Sequence, residues 1–427
     1  MPAAPEIRDA IRNGSWIRRM FEDGAALKAE RGHGNVFDFT LGNPYGDPPP
    51  ALAAELARLA ASPPPGMHRY MPNAGFPEVR RAAARALSGG TGVPFTEELV
   101  VMTVGAAGAL TVALRALLSP GDEVLVLAPY FVEYLFYVRN AGGVPVVVDT
   151  DRRFQLELGA VEAALTRKTR AILLNTPNNP TGAVYPAADL AALDRILAAA
   201  ENRFGSAIYA ISDEPYRKIV FDGHAFAPPA AALRNTVVAY SHSKDLNLPG
   251  ERIGYLAVSP RAADAAEVAE ACVFCNRVLG FVNAPAMLQL AVAKFQELPA
   301  ELAVYRENRD VLLDALARAG IGCVPPGGAF YLFPKAPVPD EMAFVAAARD
   351  ESLLVVPGSG FGRSGHFRVA YCVPPDTARG SVPAWERLGA RLRERRSDRR
   401  ASRSGGMSPA WKGTSPASSP RSRDSSS

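Results

Sequence analysis

The sequence predicts an α/β protein: a large domain with a mostly parallel sheet covered by helices on both faces, plus a smaller α+β domain. Three observations predict it. Short Val/Ile/Leu-rich runs alternate with helical stretches through the middle of the chain, Gly and Pro punctuate the joins, and longer helices take over after about residue 290. Strands that are apolar almost throughout are buried on both faces, and the helices between them supply the two covers.

Residues 98–104 (ELVVMTV) read as a strand and 108–118 (GALTVALRALL) as a helix. A strand at 122–129 (DEVLVLAP), a helix at 131–142 (FVEYLFYVRNAG) and a strand at 143–150 (GVPVVVDT) follow. Then come a helix at 159–166 (GAVEAALT), a strand at 169–177 (TRAILLNTP) and a helix at 187–205 (AADLAALDRILAAAENRFG) that ends on Gly. Strands at 207–215 (AIYAISDEP), 236–243 (TVVAYSHS) and 254–260 (GYLAVSP) complete the sheet. Beyond them, 266–279, 286–299 and 300–320 read as helices, and 326–334 (PGGAFYLFP) and 366–373 (HFRVAYCV) as strands of the second domain. The expected division is an N-terminal segment 1–44 joining the small domain, a large domain 45–290 and a small domain 291–396. The tail 397–427, rich in Ser, Pro, Arg and Gly without periodicity, is expected to be disordered.

Hydrophobic residues make up 48% and charged residues 21% of the 427 residues, the composition of a soluble globular protein with a large core. The net charge of +4 belongs to the tail: residues 397–427 hold six Arg/Lys and two Asp/Glu, so the body is neutral. A neutral body gives no electrostatic reason to expect nucleic acid. Charges are scattered through the N-terminus and no apolar run reaches membrane-span length, so a cytoplasmic protein without a membrane partner is expected. Four cysteines, at 272, 275, 323 and 372, make no disulfide framework in a chain this long. The CxxC at 272–275 lies in a helical stretch with no second pair beside it, which points to buried thiols and no metal.

The chain holds seven lysines against forty arginines, and one of the seven, Lys244, stands in SHSKDLNLPGERIGY between two serines and an Arg-Gly pair. A surface ammonium is the bland reading of any single lysine. In a doubly wound sheet, however, ligands gather at the carboxyl ends of strands, and the unusual residues of this chain fall there. GAAGAL follows the first strand and opens a helix, which is either a tight turn or an anion site made of backbone N–H groups at Ala106 and Ala107. Asn179 in NNPTG offers an amide where a turn alone requires only the Pro and Gly. Asp213 and Tyr216 in SDEPY follow a buried strand, where a carboxylate is costly unless a cation meets it. A structural salt bridge would satisfy it equally. Ser241, Ser243, Lys244 and Arg252 follow the next strand.

Together these groups describe one ligand. It carries a phosphate for the amides, Ser241, Ser243 and Arg252, a cationic ring nitrogen for Asp213, a ring oxygen for Tyr216 and Asn179, and an aldehyde for Lys244. Pyridoxal 5′-phosphate has all four, and a lysine with a pyridinium-acid partner is what a protein contributes to it.

The chain resembles the class I/II aminotransferases, the fold type I pyridoxal-phosphate-dependent enzymes, from about residue 36 to 375. The resemblance rests on GNPYGDPP, RYMPNAGFPEVRRA, VGAAGAL, APYFVEY, NTPNNPTG, SDEPY, SHSKDLNLPGERIGY and FRVAY, in that order. It implies an aspartate-aminotransferase-like fold and amino transfer from an amino acid to a 2-oxo acid. It assigns Lys244 to the Schiff base, Asp213 to the ring nitrogen, Tyr216 and Asn179 to the ring hydroxyl, and Ser241, Ser243, Arg252 and the amides of Ala106 and Ala107 to the phosphate. Phe131 would stack on the ring, and Arg368 would grip the substrate carboxylate with help from the backbone near Gly42 and from Asn179. Tyr70 would reach the phosphate of the neighbouring subunit, making a homodimer with shared sites.

The chain departs from the family at Ala106 and Ala107, where many relatives carry Ser or Thr, and at Phe131, where some carry Trp. His242 reads as a spacer beside the anchor. For a second, side-chain carboxylate, Arg69 and Arg277 are positional candidates only. Two other functions share these motifs: a C–S β-lyase-like enzyme on the same fold, and a non-catalytic cofactor-binding module. A regulator of the second kind would need a DNA-binding domain, and residues 1–35 are too short for one.

Overall fold

The apolar runs become strands because each alternates its side chains between two covered faces. The computed structural model describes residues 26–221 and 223–404, with positions 4, 5, 7, 8, 11 and 24 before them. In chain order the strands are β1 (Phe37–Asp38), β2 (Val100–Thr103), β3 (Glu123–Ala128), β4 (Val144–Asp149), β5 (Thr169–Asn175), β6 (Tyr209–Asp213), β7 (Thr236–Ser241), β8 (Gly254–Val258), β9 (Tyr331–Leu332), β10 (Leu353–Leu354), β11 (Val356–Pro357) and β12 (Phe367–Ala370). Seven of them form the main sheet in the order β2-β8-β7-β6-β5-β3-β4. All neighbours are parallel except β8, which runs antiparallel to both β7 and β2.

The alternation is explicit in the packing. Val126, Leu173 and Ile211 belong to one cluster with the helices Gly105–Leu117 and Ala265–Val278, whereas Leu125, Ile172 and Ala210 belong to another with the helix Ala187–Phe204. A third cluster seats Val238, Tyr240, Tyr255 and Ala257 against Pro50–Ala61 and Pro77–Thr91. The sequence reading missed these last two helices, although each has Pro in its first turn.

The small domain is built on the antiparallel set β11-β12-β9 around a core containing Phe344, Phe367 and Trp385. β1 pairs with β10, Phe37 opposite Leu353, which ties residues 37–38 to that domain. The helix expected over 286–299 stops at Val292. The carbonyls of Gln296 and Leu298 instead accept hydrogen bonds from Lys218 Nζ, each 2.8 Å long. The helix expected over 131–142 covers only Tyr134–Asn140. At the far end, Val382–Ser404 is one helix that passes residue 396. Its Arg, Glu, Leu and Ala residues are good helix formers, which low-complexity composition had obscured. The rest of the tail lies outside the described residues.

Cys272 and Cys275 are buried in the helix Ala265–Val278, and burial pushes both thiols up. Among the described residues no helix is long and apolar enough to cross a membrane.

The close approach of β7, β8 and the helix that follows β2 leaves no space at Gly254. A Cβ there would lie 2.2 Å from Tyr240 O and 3.0 Å from Gly105 Cα. Gly254→Ala should therefore destabilise the protein by about 2 kcal/mol or more, as overpacking of a tight interior does. A chemical denaturation midpoint equal to wild type would show that these strands separate without strain.

Candidate active site

The loops at the carboxyl ends of β2, β5, β6 and β7 open into one cavity of about 310 Å³. After β2 the chain turns at Gly105, with φ +74, and enters the helix Gly105–Leu117. A Cβ at Gly105 would stand 2.9 Å from Arg252 Nη2, so glycine brings the helix start against the guanidinium. Ala106 and Ala107 line the cavity directly beyond it. Opposite them, Ser241 Oγ and Ser243 Oγ are 2.7 Å apart, and Arg252 Nη1 donates to Ser243 Oγ at 3.5 Å. Helix-start amides, two hydroxyls and a guanidinium make an anion cradle.

Asp213 ends β6. Its Oδ2 accepts a 2.5 Å bond from Tyr134 OH, while Oδ1 is buried without a partner. Burial pushes the carboxyl up to about 7, against the Tyr134 hydrogen bond that favours the charged form. Asn175 Nδ2 donates to Asp213 O at 3.0 Å and holds the main chain beneath it.

Lys244 Nζ donates to Gly42 O at 2.7 Å. Desolvation pulls its ammonium down to about 8, with Arg252 and Arg368 adding repulsion and Cys372 and Asp213 opposing. The segment that presents this carbonyl is itself constrained: a Cβ at Gly42 would fall 2.0 Å from Tyr331 Oη. Tyr331 OH in turn shares a 2.8 Å hydrogen bond with Tyr216 OH.

Arg368, on β12, is buried. Its Nη1 donates to Asn179 Oδ1 at 3.0 Å and its Nη2 to Thr40 O at 2.6 Å, while Nε is buried and unpartnered. Tyr331 and Phe361 lie 4.8 and 4.7 Å from the guanidinium carbon, each measured to the ring centroid.

The cavity therefore gathers Gly42, Ala106, Ala107, Phe131, Asn179, Asp213, Tyr216, Ser241, Ser243, Lys244, Arg252 and Arg368. Tyr70 stands apart from it, 96% exposed. Arg69 and Arg277 are exposed and do not line it either. His242 is buried behind the lysine, with Nε2 3.2 Å from Gln296 Nε2 and Nδ1 3.4 Å from Asp245 Oδ1. Sequence reasoning missed Tyr134, Tyr331 and Glu133. Tyr134 and Glu133 stand in the quoted APYFVEY beside Phe131, where the Phe drew the attention; Tyr331 comes from a small-domain segment with no polar pattern.

The family model described as aminotransferase class I and II matches residues 34–380. The chain is 36% identical over 371 residues to the aspartate/prephenate aminotransferase of Thermus thermophilus, covering 85% of this chain and 93% of that one. Its structure is similar to that of an amino transferase from Eubacterium rectale, with TM-score 0.88, 37% identity and coverage of 92% of this chain and 99% of that one. It is also similar to Thermus thermophilus aspartate aminotransferase with maleate, with TM-score 0.77, 31% identity and coverage of 87% and 96%.

A carboxyl raised by burial binds its proton more tightly in the folded state. It contributes stability at low pH that is lost as pH rises through the interval from its ordinary value to about 7. In cofactor-free protein, Asp213→Asn should raise the unfolding midpoint by several degrees near about pH 8 and by much less near about pH 5. Equal shifts at both pH values, read by thermal melting, would show that Asp213 is not desolvated.

Proposed function

We propose, from the premise that this chain belongs to the class I and II aminotransferases, that Lys244, Asp213 and Arg368 divide the work of a single active site. As a member of that family the protein is a pyridoxal 5′-phosphate-dependent aminotransferase, passing an amino group from an amino acid to a 2-oxo acid. One observation carries the assignment of residues. The buried, unpartnered Oδ1 of Asp213 and the cradle of Ser241, Ser243, Arg252 and the helix start lie at separate points of the cavity that Lys244 enters. A protonated ring nitrogen suits the first, a phosphate the second, and an aldehyde the third.

When bound, pyridoxal 5′-phosphate supplies an electron-withdrawing ring that accepts the electron pair left as a substrate C–H bond breaks. Asp213 would keep the ring nitrogen protonated; a cation there also relieves the cost of its burial. Tyr216 and Asn179 would hydrogen-bond the ring oxygen, and Phe131 would cover the ring face. Lys244 would hold the cofactor through its aldehyde. With its ammonium pulled down to about 8, a useful fraction of Nζ is neutral near pH 7 and can take the proton from substrate Cα. Arg368 would turn its fork to the α-carboxylate, with Asn179 and the Gly42 backbone beside it. The cavity's cations among the described residues are Lys244, Arg252 and Arg368, and each has a task. Aspartate and prephenate belong to the names of relatives; for this chain the proposal is an α-amino acid donor and a 2-oxo acid acceptor.

The working unit in this proposal is a C2 homodimer in the cytoplasm. An exposed Tyr70 with no place in its own cavity supports sharing of sites, as do the exposed Phe274 and Val278 on one helix. Four free cysteines support a reducing compartment.

Lys244→Ala should remove the covalent attachment. Borohydride treatment of wild type should leave the cofactor on the peptide containing Lys244, detected by mass spectrometry, and should leave none on the variant. Attachment at another lysine would overturn the assignment.

Sharing can be tested by co-refolding Lys244→Ala with Tyr70→Ala. Mixed dimers then hold one doubly defective site and one intact site. With random pairing roughly a quarter of wild-type activity should return, following the two-fold symmetry. Recovery no greater than the two variants give alone would place Tyr70 in its own chain's site.

A further inference from the structure

Three side chains lining the cavity keep a buried polar atom without a partner: Asp213 Oδ1, Arg368 Nε and Glu133 Oε2. The reaction accounts for two of them, since a ring nitrogen answers Asp213 and an α-carboxylate answers Arg368. The amino group of the substrate goes to the position of Lys244 Nζ. What remains of any amino acid in the cavity is its side chain, and of the three unpartnered atoms what remains is Glu133 Oε2.

Resting on the assignment of Arg368 to the α-carboxylate, we propose that Glu133 is a specificity-determining residue that accepts a hydrogen bond from the substrate side chain. It selects amino acids whose side chain ends in an ammonium or another N–H donor, and selects against a second carboxylate.

The rest of the lining supports this. Several of the other polar groups are committed to one another: Tyr216 to Tyr331, Ser241 to Ser243, and the Asn179 amide oxygen to Arg368. Glu133 lies close enough to Arg368 for the guanidinium to act on its charge, and its own charge reaches the phenols of Tyr137 and Tyr331. Burial pushes the Glu133 carboxyl up, with a hydrogen bond from its own backbone and the charge of Arg368 only partly offsetting it, and Oε2 loses its water without gaining a protein donor. A donor on the ligand supplies what is missing. A second carboxylate would instead face a like charge in a desolvated site, and no further cation lines the cavity among the described residues.

The test uses cofactor-loaded protein in which borohydride has fixed the cofactor to its lysine, so that no amine can displace it, and three acids of one chain length: pentanoate, 5-aminopentanoate and glutarate. They share the carboxylate that Arg368 would hold and differ at the far end in being apolar, cationic or anionic. Isothermal titration calorimetry reads their dissociation constants without turnover. Expected is binding in the order 5-aminopentanoate, pentanoate, glutarate, with the first at least about tenfold tighter than the last, a difference of about 1.4 kcal/mol. Glu133→Gln should shrink that ratio to about threefold or less, because the amide keeps the shape and loses the charge. Glutarate binding as tightly as 5-aminopentanoate in wild type overturns the proposal, whether or not the variant folds. So does an order that Glu133→Gln leaves unchanged. Arg368→Lys separates the two levels. It should weaken all three acids alike, and if it weakens none, the α-carboxylate assignment fails first and the inference with it.

Discussion

A charge is costly inside a protein, and this fold puts one at the carboxyl end of β6. The strands around it are apolar on both faces because helices cover both faces, so Asp213 is buried except where it lines the cavity. Its immediate surroundings moderate that cost without removing it. Tyr134 satisfies one carboxylate oxygen, Asn175 holds the backbone, and the second oxygen is left for a partner the chain does not provide. A site built this way binds its cationic partner partly because folding alone leaves it incomplete. Occupancy then stabilises the fold by mass action, and cofactor affinity and stability become two readings of the same unsatisfied group.

The same logic applies to Lys244 and Arg368, which are held by carbonyls. Lys244 Nζ meets Gly42 O, and Arg368 Nη2 meets Thr40 O. Both carbonyls belong to the N-terminal stretch that follows β1, and β1 is paired to the small domain through β10. Arg368 itself comes from β12 and reaches Asn179, which follows β5 of the main sheet. One guanidinium thus joins the small domain, the N-terminal stretch and the main sheet at the point where an α-carboxylate would arrive. A carboxylate offers Arg368 a bidentate geometry that a single carbonyl does not. A carboxylate at Arg368 would therefore compete with bonds that set how these three pieces sit, which would couple substrate grip to their arrangement.

How much of this was legible in the sequence depended on range. Asp213 and Ser241 end strands and Asn179 and Lys244 follow strands within a few residues, and the sheet brings such positions together whatever the details of packing. Local pattern was therefore enough to gather them. The partners that tune them were not legible, because their contacts span long separations: Tyr134 to Asp213 across 79 residues and Tyr216 to Tyr331 across 115. No periodicity predicts that two tyrosines will share a hydrogen bond. Helix ends failed for a similar reason. The stretch 286–299 has helical composition, but Lys218 draws off the carbonyls of Gln296 and Leu298, and tertiary bonding outweighed propensity.

The division between rigid and adjustable parts of the site follows from where its residues lie. Asp213, Ser241 and Asn179 are buried at strand ends, where a change of side chain would disturb close-packed core on both sides. Phe131, Glu133 and Tyr137 lie on the short segment after β3 and are only half-buried. Substitutions there change what faces the substrate while leaving the sheet's packing largely alone. A fold that fixes cofactor chemistry at strand ends and leaves side-chain recognition to such a segment can change its substrate without rebuilding its core. Glu133 is this chain's residue at that place, a carboxylate that lines the cavity with its second oxygen buried and unpartnered.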